Sequence, residues 1–560
     1  MGLPVLALAC FALFSGAPWS EAASHPPGDG SRSKGSYQLV GTGPGEGDLL
    51  TPRALKAIRE ADLVFCNPAT QEQLSPYVDF KGKEVLDGYG RLFPFYGKDC
   101  SQVTDEEKSR EKMSCEEYHR KQAEFARRVR DAVAAGKRVV MTSGGDPTLY
   151  GPSTWTLREL ADLNPSVVPG LSALNAANAA LKVSLGEIII TAPFQREGHR
   201  DTLENLAGHG NSTLVIFMPR DMKGLVARLA KVYPPKTPMA VVFHAGAGDK
   251  ERVILGTVEN MGEKMGDTDA WMSLVYVGKA LESAQLGAEP KKPCGSKGKF
   301  HLVGTGPGDA DLATLRALKV MEEADLVFAR KNLEEKFLPQ LKGKKVLDGY
   351  GRLFPFYGKD CSKLTEAEKS RESMSCEDYH RKQAEFATLV REAVARGERV
   401  VMLDNGDPLI YGPCSWTLTE LRDLETEVVP GLSAFNAGNA ALRVGVTEGK
   451  NSHSVILASG WTVDEMAVHK ATMVLFTMRT EFRKFIDSLS RHYPPETPVA
   501  VVVNAGYSEK EQVIHGNLGT ILQQIGEGRL PFEHLLYVGD FLTGLPKEGT
   551  QAHAGFRRFP

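Results

Sequence analysis

The chain has 560 residues, of which 42% are hydrophobic and 24% charged, a globular composition at a length that predicts more than one domain. Lysine and arginine total 67 and aspartate and glutamate total 70, so the formal net charge is −3. No long basic run offers a surface for phosphate backbones, and we therefore expect no nucleic-acid partner. No apolar stretch reaches the roughly 18 residues that a membrane helix needs, so we expect no membrane span.

The first segment, residues 1–23, predicts an export signal. Its apolar run from Leu3 to Phe14 is too short to cross a bilayer, and small residues near Ala22 follow it where a signal peptidase can cut. The segment is atypical because no lysine or arginine precedes Arg32. We expect export to the periplasm, or a cytoplasmic location if the segment is not a signal.

The rest of the chain repeats one unit. The stretch LDGYGRLFPFYGKDCS at 86–101 recurs without change at 347–362, an offset of 347 − 86 = 261 residues. VGTGPG, ADLVF, YHRKQAEFA, GDP and VVPGLSA also recur in the same order. This offset is far longer than solenoid periods and indicates a duplicated domain. We expect a first copy at 36–279, a linker rich in Gly, Pro and Lys at 280–298, a second copy at 299–544 and a tail at 545–560.

Within each copy, short runs rich in β-branched residues alternate with helical patterns. In the first copy YQLVG, DLVF, KRVVMT and TLVIFM are typical of strands, and LLTPRALKAIREA and YHRKQAEFARRVRDAVAAG of helices. This alternation predicts an α/β fold with a largely parallel sheet. Ligands of such sheets bind at the carboxyl ends of the strands, so the loops that follow the strands are the candidate sites.

The loop after the first strand reads GTGPGEGD in the first copy and GTGPGDAD in the second. A dinucleotide-binding G-x-G-x-x-G turn needs glycine where the chain has Glu46 and Asp309, so a nicotinamide site is not expected. The glycines permit a tight turn and the close approach of a ligand or of another backbone. By itself, such a turn is more often structural than functional.

Two further motifs follow later strands. SGGDPTLYG contains Asp146 and DNGDPLIYG contains Asp407. A carboxylate beside glycine can accept hydrogen bonds from a ligand amine or ribose, but an aspartate before proline also initiates turns. In VVPGLSALNAAN, Ser172 begins a small-residue helix, where it can bind a ligand or cap the helix. Taken singly, each motif is explained as well by structure as by function.

Taken together, in this order and spacing, the motifs resemble the tetrapyrrole methylase family of S-adenosylmethionine-dependent enzymes. The resemblance covers nearly all of each copy. It implies two tandem tetrapyrrole-methylase-like units, each of two α/β subdomains with a ligand cleft between them. Since family members are usually homodimers, it also implies an intrachain pseudo-dimer that is itself a monomer or a homo-oligomer.

The resemblance implies S-adenosylmethionine as methyl donor and a small-molecule acceptor, a tetrapyrrole. The alternative is an exported, non-catalytic protein that keeps the methylase fold and binds a tetrapyrrole or another planar ligand. Export favours this alternative, because S-adenosylmethionine is a cytoplasmic metabolite.

The family's donor-binding positions can be carried over residue by residue. In the first copy they are Pro44, Gly144, Gly145, Asp146, Leu149, Ser172, Ala173 and Met218. In the second copy they are Pro307, Gly406, Asp407, Ile410, Ser433 and Ala434. The second copy departs further from the family pattern, because it has Asn405 for glycine and Thr477 for methionine. An acidic residue that the uroporphyrinogen branch carries after its second strand is Asn67 in one copy and Arg330 in the other, so no catalytic residue is assigned.

The identical stretch lies in an insertion after the third strand of both copies. Interleaved aromatic and basic side chains suit a planar ligand with carboxylates, the rings forming a floor and the cations a rim. The alternative is that the rings pack a long loop onto the domain. The candidate substrate-binding residues are Tyr89, Arg91, Phe93, Phe95 and Tyr96, with Tyr350, Arg352, Phe354, Phe356 and Tyr357.

Four of the eight cysteines recur inside this insertion at equal separation. In an exported protein they are predicted to form two disulfides that staple the loop, each worth about 3 kcal/mol in the loop-entropy model. A metal site is the alternative, because His119 stands four residues after Cys115 and can share its helix face. With only three such ligands per copy we expect no metal. The predicted disulfides are Cys100–Cys115 and Cys361–Cys376.

Overall fold

A computed structural model describes residues 35–194, 199–209, 211–284, 298–460, 462–476, 482–526 and 530–544. The predicted export segment, most of the predicted linker, the predicted tail and Thr477 lie outside these residues. No helix in the described ranges combines the length and the apolar character of a membrane span.

The first copy folds into two α/β subdomains. Its amino-terminal strands are β1 (Ser36–Gly41), β2 (Leu63–Phe65), β3 (Glu84–Leu86), β4 (Arg138–Ser143) and β5 (Ser166–Val168). They form an all-parallel sheet in the order β3-β2-β4-β1-β5. Its carboxy-terminal strands are β6 (Glu187–Thr191), β7 (Ser212–Phe217), β8 (Pro238–Phe243), β9 (Arg252–Thr257) and β10 (Ser273–Val277).

The helices of the first copy cover these strands, and most of them begin at a polar side chain that caps the helix. They are α1 (Pro52–Glu60), α2 (Pro68–Leu74), α3 (Asp105–Ser109), α4 (Cys115–Ala134), α5 (Trp155–Glu159), α6 (Ala173–Leu181), α7 (Leu203–Leu206), α8 (Met222–Leu229) and α9 (Met261–Met265). In α4, the Ser114 hydroxyl accepts from the Glu117 amide, and the buried face recurs at helical spacing through Tyr118, Phe125 and Val129.

The second copy repeats this arrangement. Its strands are β11 (Lys299–Gly304), β12 (Leu326–Phe328), β13 (Lys345–Leu347), β14 (Arg399–Asp404), β15 (Thr426–Val429), β16 (Val455–Ser459), β17 (Thr472–Phe476), β18 (Pro498–Val503), β19 (Gln512–Asn517) and β20 (His534–Val538). Its helices are α10 (Leu315–Glu322), α11 (Lys331–Lys336), α12 (Leu338–Leu341), α13 (Glu366–Lys369), α14 (Cys376–Ala395), α15 (Trp416–Glu420), α16 (Ala434–Leu442), α17 (Val463–Ala467), α18 (Phe482–Leu489) and α19 (Ile521–Ile525).

One ten-stranded sheet joins the two copies, in the order β19-β18-β20-β17-β16-β6-β7-β10-β8-β9. At its centre β6 and β16 pair antiparallel, with Ile189 opposite Ile456. Apolar side chains from both copies pack together on each face of this sheet. The two copies therefore associate as a pseudo-dimer within one chain.

Reciprocal ion pairs reinforce this association at the glycine-rich loops. The Arg53 guanidinium lies 2.7 Å from an Asp311 carboxylate oxygen, and the Arg316 guanidinium lies 2.7 Å from one of Asp48. In each case an arginine of one copy holds the loop that follows the first strand of the other. Glu46 and Asp309, the acidic residues at the glycine positions of the dinucleotide pattern, pair with the same arginines of the opposite copy, at 2.6 Å from Arg316 and 3.1 Å from Arg53.

Candidate active site

Three loops of the first copy converge where β1, β4 and β5 end. A Cβ atom on Gly41 would lie 2.5 Å from the Gly170 amide nitrogen, a distance that only glycine tolerates. Gly43 and Gly145 form an antiparallel bridge in which the Gly145 amide donates to the Gly43 carbonyl at 3.0 Å. These glycines therefore allow the loops to pack closely against one another.

The first of these loops also reaches the carboxy-terminal subdomain. The Glu46 amide donates to the Gly246 carbonyl at 2.9 Å, and a Cβ atom on Gly45 would lie 2.3 Å from the Gly246 carbonyl carbon. Pro44 stands at this contact, with its carbonyl oxygen 3.1 Å from the position of a Gly246 Cβ. The loop closes one end of the crevice between the two subdomains.

The floor of this crevice is bare backbone. No atom lies within 4 Å of the position that a Gly144 Cβ would take, and Gly144 is exposed. Its neighbour Gly145 has φ +73° and only the Leu171 carbonyl oxygen near it, at 3.9 Å. A ligand can therefore approach the main chain here without meeting a side chain.

One wall of the crevice is apolar. Leu149, Ala173 and Met218 belong to one apolar cluster with Ala245. Met218, directly after β7, has φ 53°, a left-handed conformation that is unusual for a residue with a side chain. Such backbone strain concentrates at ligand sites. Six of the predicted donor-binding positions thus lie in the loops at these strand ends or in the apolar cluster: Pro44, Gly144, Gly145, Leu149, Ala173 and Met218.

Asp146 instead contacts the other copy. Its Oδ2 accepts from the Asn436 side-chain amide at 2.7 Å, and its Oδ1 accepts from the amide and the hydroxyl of Thr148. Asp407 mirrors it, accepting from the Asn175 amide at 2.6 Å. Burial raises the pKa of both carboxyls, that of Asp407 to about 7. Both aspartates therefore bridge the copies, a role that depends on the pseudo-two-fold arrangement.

The two predicted serines are helix caps. Ser172 and Asn175 form a capping box at the start of α6, as Ser433 and Asn436 do at the start of α16. The same asparagines donate to the aspartates of the opposite copy. The hydrogen bonds that cap these helices and those that join the two copies therefore share the same asparagines.

The remaining second-copy positions lie at matching places. Ile410 and Ala434 join the same apolar cluster, and the Pro307 carbonyl oxygen lies 3.1 Å from the position of a Gly506 Cβ. Gly406 keeps the left-handed φ, at +77°. Asn405 carries a side chain where the first copy has Gly144, so this second crevice lacks the bare floor.

The aromatic residues of the repeated insertion divide into two groups. Phe95 is 7% exposed and packs edge-on against Tyr118, while Tyr89 packs against Phe65 and Tyr96 against Trp155. Phe356, Tyr350 and Tyr357 make the matching contacts in the second copy. These rings pack the loop onto the domain, as in the structural alternative.

The other group is accessible to a ligand. Phe93 is 45% and Phe354 43% exposed, and Arg91 and Arg352 beside them are exposed as well. In the second copy Arg352 and Phe354 line a pocket of about 400 Å³ together with Arg330 and Arg371. Of the predicted substrate-binding residues, only these exposed side chains remain candidates for contact with a ligand.

The insertion is stapled as the cysteine spacing predicts. Disulfides join Cys100 to Cys115 and Cys361 to Cys376, with Cα atoms 5.6 and 5.7 Å apart. His119 Nε2 lies 2.9 Å from the Phe95 carbonyl oxygen. The cysteine sulfurs are thus bonded to each other and are not available as thiolates.

The sequence reasoning missed Asp404, at the end of β14. Its Oδ2 accepts from the Cys414 amide at 3.0 Å. Burial raises the pKa of this carboxyl to about 6, although the Cys414 amide and the Arg330 charge act in the opposite direction. The signal was present in the sequence, since DNGDP places an acid where SGGDP has serine. A buried carboxyl with a pKa near neutrality, beside an arginine that lines a pocket, is a candidate acid–base group.

The comparisons with known proteins agree with this architecture. The sequence model of the Tetrapyrrole (Corrin/Porphyrin) Methylases matches residues 38–262 and 299–522. The two matches cover most of the chain, one in each copy. The chain therefore belongs to the tetrapyrrole methylase family, as a tandem duplication of its unit.

Two relatives resemble a single copy over nearly their whole length. The cobalt-precorrin-4 C(11)-methyltransferase of Methanocaldococcus jannaschii is 29% identical, over 44% of this chain and 88% of the relative. The uroporphyrinogen-III C-methyltransferase of Cyanidium caldarium is 27% identical, over 44% of this chain and 93% of the relative. The siroheme synthase of Pseudoalteromonas atlantica is 27% identical over 44% of this chain, which spans about half (51%) of that relative.

Two solved structures align with part of the chain. A cobalt precorrin-4 methyltransferase aligns over 44% of this chain and 95% of its own, with 23% identity and a TM-score of 0.35. The uroporphyrin-III C-methyl transferase from Thermus thermophilus complexed with S-adenyl homocysteine aligns over 44% and 99%, with 23% identity and a TM-score of 0.33.

Proposed function

We propose that this protein is an S-adenosylmethionine-dependent methyltransferase that binds its donor in the first copy and acts on a tetrapyrrole. One observation carries the proposal: the bare floor at Gly144, bordered by the apolar residues Leu149, Ala173 and Met218. Family membership supports it, as do relatives named as methyltransferases of precorrin-4 and uroporphyrinogen-III.

The chemistry asks little of the protein beyond positioning. A nucleophilic carbon of the acceptor forms a bond to the methyl carbon while the carbon–sulfur bond breaks, and sulfur keeps the electron pair and becomes a neutral thioether. The positive charge of the sulfonium is lost in this step, so an apolar wall such as that around Met218 does not oppose the transition state. Alignment of the two reactants is the main contribution. Asn67 and Arg330 are compatible with this, because the step itself does not need a carboxylate base.

On the acceptor side we propose that the exposed part of the repeated loop binds the substrate. Arg330, Arg352 and Arg371 line one pocket, and guanidinium groups suit the carboxylates of a tetrapyrrole. The exposed ring of Phe354 adds an apolar face at the same pocket.

The test is a calorimetric titration with S-adenosylmethionine and S-adenosylhomocysteine. Gly144→Asn gives the first crevice the residue of the second, and we expect it to weaken binding by about 10-fold or more through steric exclusion from the floor. The matched control is Asn405→Gly, which leaves the first crevice intact. Undiminished binding to Gly144→Asn, or no binding by the wild type, would overturn the proposal.

A transfer assay then separates enzyme from binding protein. Methyl-labelled S-adenosylmethionine and uroporphyrinogen III are incubated with the wild type, and label in the tetrapyrrole is expected. The replacement of the family's acidic residue by Asn67 and Arg330 favours the second candidate, an exported binding protein. Tight binding of the tetrapyrrole without transfer would establish that alternative.

We further infer that the chain is exported to the periplasm. The two disulfides support this location, because such bonds persist in oxidising compartments. Sequencing the mature amino terminus tests it: loss of residues 1–23 is expected, whereas a retained segment with reduced cysteines would indicate a cytoplasmic protein.

A further inference from the structure

Three side chains with metal-binding atoms meet at the boundary between the two copies. His199 and Asp201 lie between β6 and α7 of the first copy, and His453 lies just before β16 of the second. Their ligand atoms all lie within 4.8 Å of one another. The cluster is distinct from the candidate crevice and from the cysteine-containing loops.

The segments that supply these residues do not follow the repeat. β6 starts six positions after the end of α6 (187 − 181), but β16 starts thirteen positions after the end of α16 (455 − 442). Conversely, β6 and β7 are 21 residues apart (212 − 191) and β16 and β17 only 13 (472 − 459). Each copy therefore has an additional segment of its own, and the two segments meet at this cluster.

Two distances between the candidate ligand atoms are close to those of a tetrahedral site. His199 Nδ1 lies 3.5 Å from His453 Nδ1 and 3.4 Å from Asp201 Oδ1. His453 Nδ1 lies 3.3 Å from the other oxygen of the same carboxylate, Oδ2. Ligands held about 2.0–2.1 Å from a tetrahedral Zn²⁺ are separated from one another by about 3.3–3.4 Å. Two imidazole nitrogens and one carboxylate are also a ligand set that Zn²⁺ accepts, with a fourth position for water.

The carboxylate has one oxygen left for an ion. Oδ2 of Asp201 accepts from the Ser452 hydroxyl and from the amides of His453 and Ser454, each at 2.9 Å. Oδ1 has no hydrogen-bond donor among the described residues, although the side chain is 0% exposed. A buried carboxylate oxygen without a donor is costly, and a cation beside it would remove that cost.

The surroundings hold the ligands in place. The Phe194 ring stacks on the His453 imidazole with centroids 5.1 Å apart, and the Tyr150 hydroxyl donates to the His453 carbonyl at 2.8 Å. The side chains of His199 and His453 are only 8% and 2% exposed. Supporting contacts of this kind orient the ligands of metal sites.

We propose that His199, Asp201 and His453 bind one divalent transition-metal ion of the Zn²⁺ class, which clamps the two copies together. One ion per chain is expected, because Leu185 occupies, before β6, the position that His453 occupies before β16. The site is structural, since the side chains of its ligands are almost fully buried.

The test uses the full chain, purified without a histidine tag, with its disulfides intact and freed of metal by a chelator. Titration with Zn²⁺ against a competing chromophoric chelator is expected to give one site per chain. Co²⁺ in the same site is expected to show the intense visible bands of tetrahedral coordination without a thiolate charge-transfer band, which excludes the free cysteines as ligands. Zn²⁺ is also expected to raise the thermal midpoint.

Two substitutions probe the ligands and one serves as control. His199→Gln and Asp201→Asn keep the side-chain volumes and are expected to weaken Zn²⁺ binding by more than about 100-fold, because loss of an outer-shell partner alone costs 10–100-fold. His515→Gln, on β19 of the second copy, is expected to leave binding unchanged. If the wild type binds no Zn²⁺, or if His199→Gln binds it as well as the wild type, the cluster is an ion-pair network only and the proposal fails.

Discussion

The two copies share a framework and the sixteen-residue stretch of the candidate acceptor loop, but they differ at the strand ends where the donor would bind. This stretch, the disulfide and the helix caps occur in both copies. At the strand ends, however, Gly144 and Asn67 of the first copy correspond to Asn405 and Arg330 of the second, and Asp404 adds a buried carboxyl to the second alone. Duplication has thus preserved the residues that build the pseudo-dimer and freed those that line each crevice to diverge.

The largest effect on stability is expected from removing a hydrogen bond between the copies that is present at both symmetric positions. Asp146→Ala leaves the Asn436 amide buried without its acceptor, and we expect the free energy of unfolding to fall by about 3 kcal/mol. Denaturant unfolding measures this, and a cycle with Asn436→Ala isolates the pair. Asp407→Ala with Asn175→Ala is the symmetric comparison. Unchanged stability with weakened donor binding would instead assign Asp146 to the ligand.

The disulfides offer a second symmetric comparison. Replacing Cys100 and Cys115 by serine is expected to lower the free energy of unfolding by about 3 kcal/mol, because the unfolded chain regains the freedom of the closed loop. The same change at Cys361 and Cys376 is expected to have an equal effect, since both disulfides close loops with the same sequence separation of 15. Clearly unequal losses would show that the two loops are anchored differently.

Exchanging the crevice floors tests how the copies differ. Gly144→Asn combined with Asn405→Gly transfers the bare floor to the second copy. If this residue alone decides donor binding, the double variant binds with near wild-type affinity. If the Met218 wall is also needed, binding stays about 10-fold weaker or more. Calorimetry with S-adenosylhomocysteine distinguishes the two results.

The smallest expected effect is a pH dependence of stability that arises from the second copy alone. The pKa of Asp404 is raised to about 6 in the folded chain, so the native state keeps this proton where the unfolded state has already lost it. Raising the pH from about 4 to about 6 is therefore expected to destabilise the wild type, on the order of 1 kcal/mol more than Asp404→Asn. Thermal midpoints across this range measure the difference. Parallel profiles would contradict the raised pKa.

Features set by local spacing could be predicted from the sequence. The α/β alternation, the duplication and the pairing of Cys100 with Cys115 depend on periodicity, self-similarity and equal separation, all visible in one chain. The Asp146–Asn436 contact could not be predicted, because it exists only once the two copies face each other. The division of the loop into buried Phe95 and exposed Phe93 depends on how α4 underlies it, which side-chain type alone does not reveal.

The β6–β16 junction has a kinetic consequence. In a homodimer the corresponding contact is bimolecular, so dilution separates the subunits. Here the partner strand is tethered, and closure of the sheet is a first-order event with an effective concentration that does not fall as the protein is diluted. We expect the assembly to persist at concentrations where a homodimer of single copies would dissociate.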